Sequence, residues 1–206
     1  MWPLTLLEYG LGRLLSARRG YDADCLFNSA PFAAHRKPTI PLTSSDCGAS
    51  GSKLNDDHSA FGAGRIPTLT WPAATSLDVK EYLFLAEDPD TPFGHANVHG
   101  IYLGIPPTVT GVSPSDLELV SEEAEGVKVI KSGWKVGKNR RNIVYIPARP
   151  PRGHGPHRYF FELVALSEKL DLERLGKVPT KAEVVEAIEG KVIEWGIWEG
   201  TYESRV

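Results

Sequence analysis

Apolar residues at Leu4, Leu7, Leu11, Leu14 and Leu15 recur at helical spacing, with Glu8, Arg13 and Arg18 on the other side. The pattern predicts a short amphipathic helix that docks on the body of the protein. Gly10 and Gly12 weaken the alternative of a helix lying on a membrane surface. From Pro38 onward the signals change to short strands with heavy punctuation. Residues 39–43 are rich in β-branched residues and bounded by Pro38, residues 50–64 are rich in Gly, Asn, Asp and Ser and read as loop, and residues 65–71 read as a strand closed by Pro72. Residues 81–87 (EYLFLAE) and 98–105 (VHGIYLGI) are nearly continuous apolar runs of sheet length, and 142–146 and 157–166 (HRYFFELVAL) complete the set. Near the end, Thr180 followed by Glu183 is a capping-box signature. Val184, Ile188, Val192 and Trp195 then share one face, which predicts a helix over 181–195 stopped by Gly196.

Several strands with long loops and a helix at each end give a mainly β fold, one antiparallel β-sandwich in a single domain. It divides into an N-terminal helix and extension (1–37), a β core (38–170) and a C-terminal helix and tail (180–206). The 206 residues suffice for one such core, and 20 glycines with 16 prolines fit a turn-rich chain.

A net charge of -3 argues against nucleic-acid binding by broad phosphate neutralisation. Six basic residues do cluster over 128–141, around Trp134, but Glu122, Glu123 and Glu125 directly precede them, so a solvated loop or strand edge is expected. Cys25 and Cys47 are too few for a disulfide scaffold and read as reduced thiols. The start has no basic region before its apolar residues, so no signal peptide is expected, and no window resembles a membrane span. A soluble, cytoplasmic protein is expected, with peripheral membrane contact at most. Gly62-Ala63-Gly64 lacks the strand and capped helix of a phosphate loop, and Ser50 lacks the spacing of a nucleophile elbow.

Ionisable residues concentrate in two places. One is Glu87-Asp88-Pro89-Asp90-Thr91-Pro92 with His95 and His99 behind it; the other is the run from Arg149 through Arg152, His154, His157 and Arg158 to Tyr159. Each adjoins a predicted buried strand, and the prolines hold the side chains at low entropic cost. DPDTP, a histidine opening an apolar strand, and PPRGHGPHRYFFELVAL together resemble the phosphatidylethanolamine-binding protein family, which includes the Raf kinase inhibitor proteins. The likeness spans residues 38–166, and the N-terminal helix with GKNRR (137–141) is similar to the fungal branch.

The resemblance implies a β-sandwich with one small cavity near the surface that takes phosphate, phosphoryl-ethanolamine or carboxylate. It makes Asp88, Asp90, His99, His157 and Tyr159 the ligand-binding residues. No metal and no cofactor are implied. The chain departs from the family pattern at Gly100, where many members place an aromatic, and a wider pocket is one expected consequence.

A carboxylate alone would repel an anion, so Asp88 is expected to hold an imidazole. An adjacent carboxylate favours the protonated ring and leaves a donor aimed into the cavity. His99 and His157, with the Tyr159 hydroxyl, would then bind anionic oxygens. Asp90 is as readily a turn cap as a ligand contact, Arg158 is expected in a supporting ion pair, and His95 and His154 are expected at the rim.

Two classes of function remain open. One is a binding module for a small anion or phospholipid headgroup, acting by occupying a protein partner such as a kinase or protease. The other is an enzyme in which Asp88 and His99 form a general base, with His157 and Tyr159 polarising a carbonyl. Fungal clusters for maleidrides use proteins resembling this family in coupling anhydride or dicarboxylate monomers, which gives the second class a place in secondary metabolism. A weaker third reading takes His95, His99, His154 and His157 with the two aspartates as a metal site; their spacing has no helical geometry behind it.

Overall fold

A computed structural model describes residues 3–205 of the protein. Its apolar runs do not alternate because they lie in the middle of a sheet covered on both faces. In chain order the elements are α1 (Pro3–Leu15), β1 (Thr43–Ser44), β2 (Ser52–Lys53), β3 (Leu69–Thr70), β4 (Glu81–Asp88), β5 (Asn97–Ile105), β6 (Gly111–Val112), β7 (Leu119–Glu122), β8 (Lys128–Ile130), β9 (Lys135–Val136), β10 (His157–Leu166), α2 (Lys181–Ala187) and β11 (Val192–Tyr202). The main sheet has the order β2-β11-β10-β4-β5-β9, and every residue of β4 is buried. All its pairings are antiparallel except β2 with β11.

On one face, Phe84, Tyr102, Phe161 and Trp198 pack with Leu69 and Val112 of the small sheet β1-β3-β6. The other face carries Leu83, Leu85, Ile101 and Val164 against Leu26, Phe32, Val184 and Ile188. The sandwich is therefore mixed: strands cover one side, while α2 and the short turns of residues 22–32 cover the other. Beneath those turns, Glu87 accepts a hydrogen bond from the Leu26 N–H and Glu162 accepts one from Phe27. Burial, then the neighbouring Glu87 charge, push the Glu162 carboxyl far above the carboxylate range, and Lys181 pairs with Glu87.

Three expectations need correction. The capping box of Thr180 and Glu183 forms, but α2 ends at Ala187, and residues 192–202 form a strand instead of continuing the helix. Gly190 turns the chain at a φ of 71°, and β11 then pairs along β10, satisfying a backbone edge that a longer helix would leave open. Residues 142–146 are not a strand: Asn142 has a φ of 50°, and only Ile146 donates its backbone N–H to the sheet backbone, at the His99 carbonyl.

The third correction concerns α1, which docks by the face opposite its leucines. Leu4 and Leu14 are 80% and 77% exposed. Contact is made by Glu8, Tyr9 and Gly12 on the loop of residues 152–154. A Cβ on Gly12 would lie 2.0 Å from the Arg152 carbonyl oxygen, and Tyr9 packs against Gly153. Glu8 pairs with Arg152 at 3.1 Å. The helical period is correct; the side used for docking is set by polar partners and a close backbone approach.

Gly10 and Gly12 separate helix propensity from docking. Gly10→Ala should stabilise α1 by about 0.5–1 kcal/mol, because nothing lies within 4 Å of its added carbon. Gly12→Ala carries the same propensity gain but should release the helix. Hydrogen exchange over residues 3–15 should fall in the first variant and rise in the second.

Candidate functional site

β4, β5 and β10 come together at one end of the main sheet, and the loops beyond them enclose a cavity of about 240 Å³. Asp88, His99, His157 and Tyr159 all line it. The antiparallel register brings β4 and β10 together so that Asp88 and His157 lie at neighbouring strand ends. Asp88 is 3% exposed. Its Oδ1 accepts the Asp90 N–H at 2.7 Å, and its Oδ2 lies 2.8 Å from His157 Nδ1. The proline between the two aspartates fixes the turn that makes the first of these bonds.

The two histidines differ in what they leave free. His157 uses both ring nitrogens inside the protein, Nδ1 to Asp88 and Nε2 to His154 Nδ1 at 2.8 Å. The imidazole held by Asp88 therefore does not aim a free donor into the cavity. His99 donates from Nδ1 to the Ile146 carbonyl at 2.5 Å. That bond assigns the proton to Nδ1 and leaves Nε2 as the free nitrogen, 4.0 Å from Asp88 Oδ2. Burial holds the His99 ring below its usual pKa, against the opposing pull of Asp88. Its resting form is neutral, with a lone pair at Nε2.

Tyr159 stands edge-on to His99, with ring centres 5.2 Å apart. Burial first, then the Asp88 charge, hold its hydroxyl far above the usual phenol range, so it remains a donor.

Asp90 does not line the cavity. Its carboxylate accepts from the Gly20 N–H and from the Arg158 backbone and guanidinium, and Arg158 also grips Asp22 at 2.8 Å. Burial opposes the charge, but the Arg158 hydrogen bonds hold the Asp90 carboxyl below its ordinary range. Asp90 and Arg158 thus tie the segment after α1 to the strand ends. Gly100 does not widen the pocket: a Cβ there would lie 2.5 Å from the Tyr102 hydroxyl, which fills the space and donates to the Val144 carbonyl.

Sequence reasoning missed the cationic rim. Arg140, Arg141 and Arg149 line the cavity, as does Glu8 from α1. Arg140 and Arg141 belong to the run read as solvated, and only their place after GKN set them apart. Glu8 lies 3.7 Å from Arg149 and carried no sequence signal for the pocket. His154, expected at a rim, is 1% exposed and lies behind His157. His154 and His157 have no ring nitrogen left for a metal. Among the described residues, Asp46, Cys47 and His58 are close enough to share an ion, and none of them lines this cavity.

The chain as a whole has known relatives. The sequence profile described as phosphatidylethanolamine-binding protein matches residues 44–203, and the chain belongs to that family. Two fungal relatives carry the name phomoidride biosynthesis cluster protein B. The one from a fungal species (strain ATCC 74256) is 65% identical over 98% of this chain and 96% of its own length. The other, from Talaromyces stipitatus, is 53% identical over 100% and 84%. A solved phosphatidylethanolamine-binding protein homologue from Chlamydia trachomatis superposes with a TM-score of 0.64 at 25% identity, covering 82% of this chain and 100% of that one.

Asp90→Asn should separate support from binding. It leaves Arg158 short of its buried partner and should lower stability by about 2–3 kcal/mol, at the low end because Arg158 is partly solvated. A calorimetric titration of the folded variant with phosphate should give the same result as one of wild type.

Proposed function

We propose that the cavity binds a small dicarboxylate or its anhydride and removes a proton from carbon conjugated to a carbonyl, as a step of fungal secondary metabolism. The single observation that carries this reading is the His99 Nε2. It is the one ring nitrogen among the cavity histidines with no hydrogen-bond partner, it belongs to a buried ring, and it is held as a lone pair by the Ile146 carbonyl behind that ring. That is the form of a general base.

The rest of the cavity suits the charge that such a step creates. The carbon's proton goes to Nε2, and the C–H electron pair moves onto the carbonyl oxygen as an enolate. Arg140, Arg141 and Arg149 face the cavity as cations, and the Tyr159 hydroxyl stays protonated to donate. Asp88 faces the imidazolium that forms, across 4.0 Å. A volume of about 240 Å³ suits a small acid better than a phospholipid. The names of the two fungal relatives support a biosynthetic role.

The test is deuterium exchange into citraconate and freshly dissolved citraconic anhydride in D2O, followed by mass spectrometry. Wild type should exchange methyl hydrogens, and His99→Gln should lose at least about a hundredfold in rate. Because burial lowers the His99 pKa from 6.5, the rate should fall with acidification only below pH 6.5. Binding of either probe without exchange would overturn deprotonation and leave a recognition module. Absence of binding would remove the cavity itself as the site.

A further inference from the structure

The hydrogen bonds behind the cavity fix a proton count. His154 Nε2 lies 3.0 Å from the carbonyl oxygen of Leu15, the last residue of α1. A carbonyl only accepts, so that nitrogen carries a proton. His157 Nδ1 lies 2.8 Å from the Asp88 carboxylate, whose other oxygen already accepts the Asp90 N–H, so that nitrogen is protonated too. A third proton must lie in the 2.8 Å contact between His157 Nε2 and His154 Nδ1. Three protons on the four nitrogens of two imidazoles make one positive charge.

Arg19 decides where the charge rests. Its guanidinium donates to the His154 carbonyl and comes within 3.4 Å of His154 Nδ1. It is anchored there by bonds to the Ser16 and Pro156 carbonyls. Burial, then His157 and Arg19, disfavour charge on His154, and a cation beside Nδ1 favours a lone pair on that atom. The groups facing the pair are Asp88 from β4, His99 from β5, Arg19 from the segment after α1, and the α1 carbonyl. The charge therefore lies on His157, against Asp88.

We infer that His154, held by the last carbonyl of α1, is a positioning residue that keeps His157 doubly protonated, so that the docked helix sets the charge of the cavity wall. Asp88 is thereby neutralised by His157, and an incoming anion does not meet a bare carboxylate. This rests on reading the cavity as the functional site, but the proton count stands or falls without any ligand.

The experiment is long-range proton–nitrogen NMR of the imidazoles at pH 7, with phosphate titration by calorimetry on the same samples. In wild type, both His157 nitrogens should be protonated, and His154 should be protonated at Nε2 alone. His154→Gln places a carbonyl to accept from His157 and an amide to donate to Leu15, and should preserve both the doubly protonated His157 and the phosphate affinity. His154→Leu is of similar size without an acceptor. It should return His157 to a neutral ring bonded to Asp88 and weaken phosphate about tenfold. A wild-type His157 with one unprotonated nitrogen, or a folded His154→Leu protein with unchanged His157 signals, would overturn the inference. Failure of the catalytic reading would appear separately, as intact NMR signals in a protein that exchanges no deuterium.

Discussion

The buried Asp88 carboxylate is the constraint around which the cavity is arranged. An ion at 3% exposure is tolerated only with close partners, and it has two: the Asp90 N–H and His157. The first fixes the turn after β4, and the second fixes a ring at the start of β10. With both positions filled, the third side chain near the carboxylate, His99, is close enough to feel the charge but makes no bond to it. That difference divides the histidines into a charged structural wall and a neutral ring with a free nitrogen.

Surrounding supports serve the same arrangement at a greater distance. Asp90 and Arg158 draw the chain after α1 onto the strand ends, and Glu87 with Glu162 pin the following turns through the Leu26 and Phe27 N–H groups. These contacts bring Leu15 and Arg19 to His154 and place Glu8 beside Arg149. The N-terminal helix is thus part of the cavity wall although its leucines face solvent.

Much of this was legible in the chain. The run HRYFFELVAL forms β10 with the expected bounds, EYLFLAE lies within β4, and the DPDTP and HRY segments meet at one cavity, because continuous apolar runs fix central strands and prolines fix the turns beyond them. The misreadings share a cause. Val192 and Trp195 fit a helical period as well as a strand one, and only the open edge of β10 decides between them. The docking face of α1, the burial of His154 and the turning of Arg140 and Arg141 to the cavity depend on partners more than forty residues away in sequence, which local pattern does not encode.

In the proposed function, a small acid binds with a carboxylate or carbonyl between His99 and the arginine rim. A crystal structure of the protein soaked with maleate tests it most directly. The account predicts a carboxylate within hydrogen-bonding distance of Arg149 or Arg140, with the remainder of the molecule against His99 Nε2 and the His157–His154 contact unbroken. Maleate seated elsewhere, or a His157 ring swung away from His154 to bind it, would contradict the account.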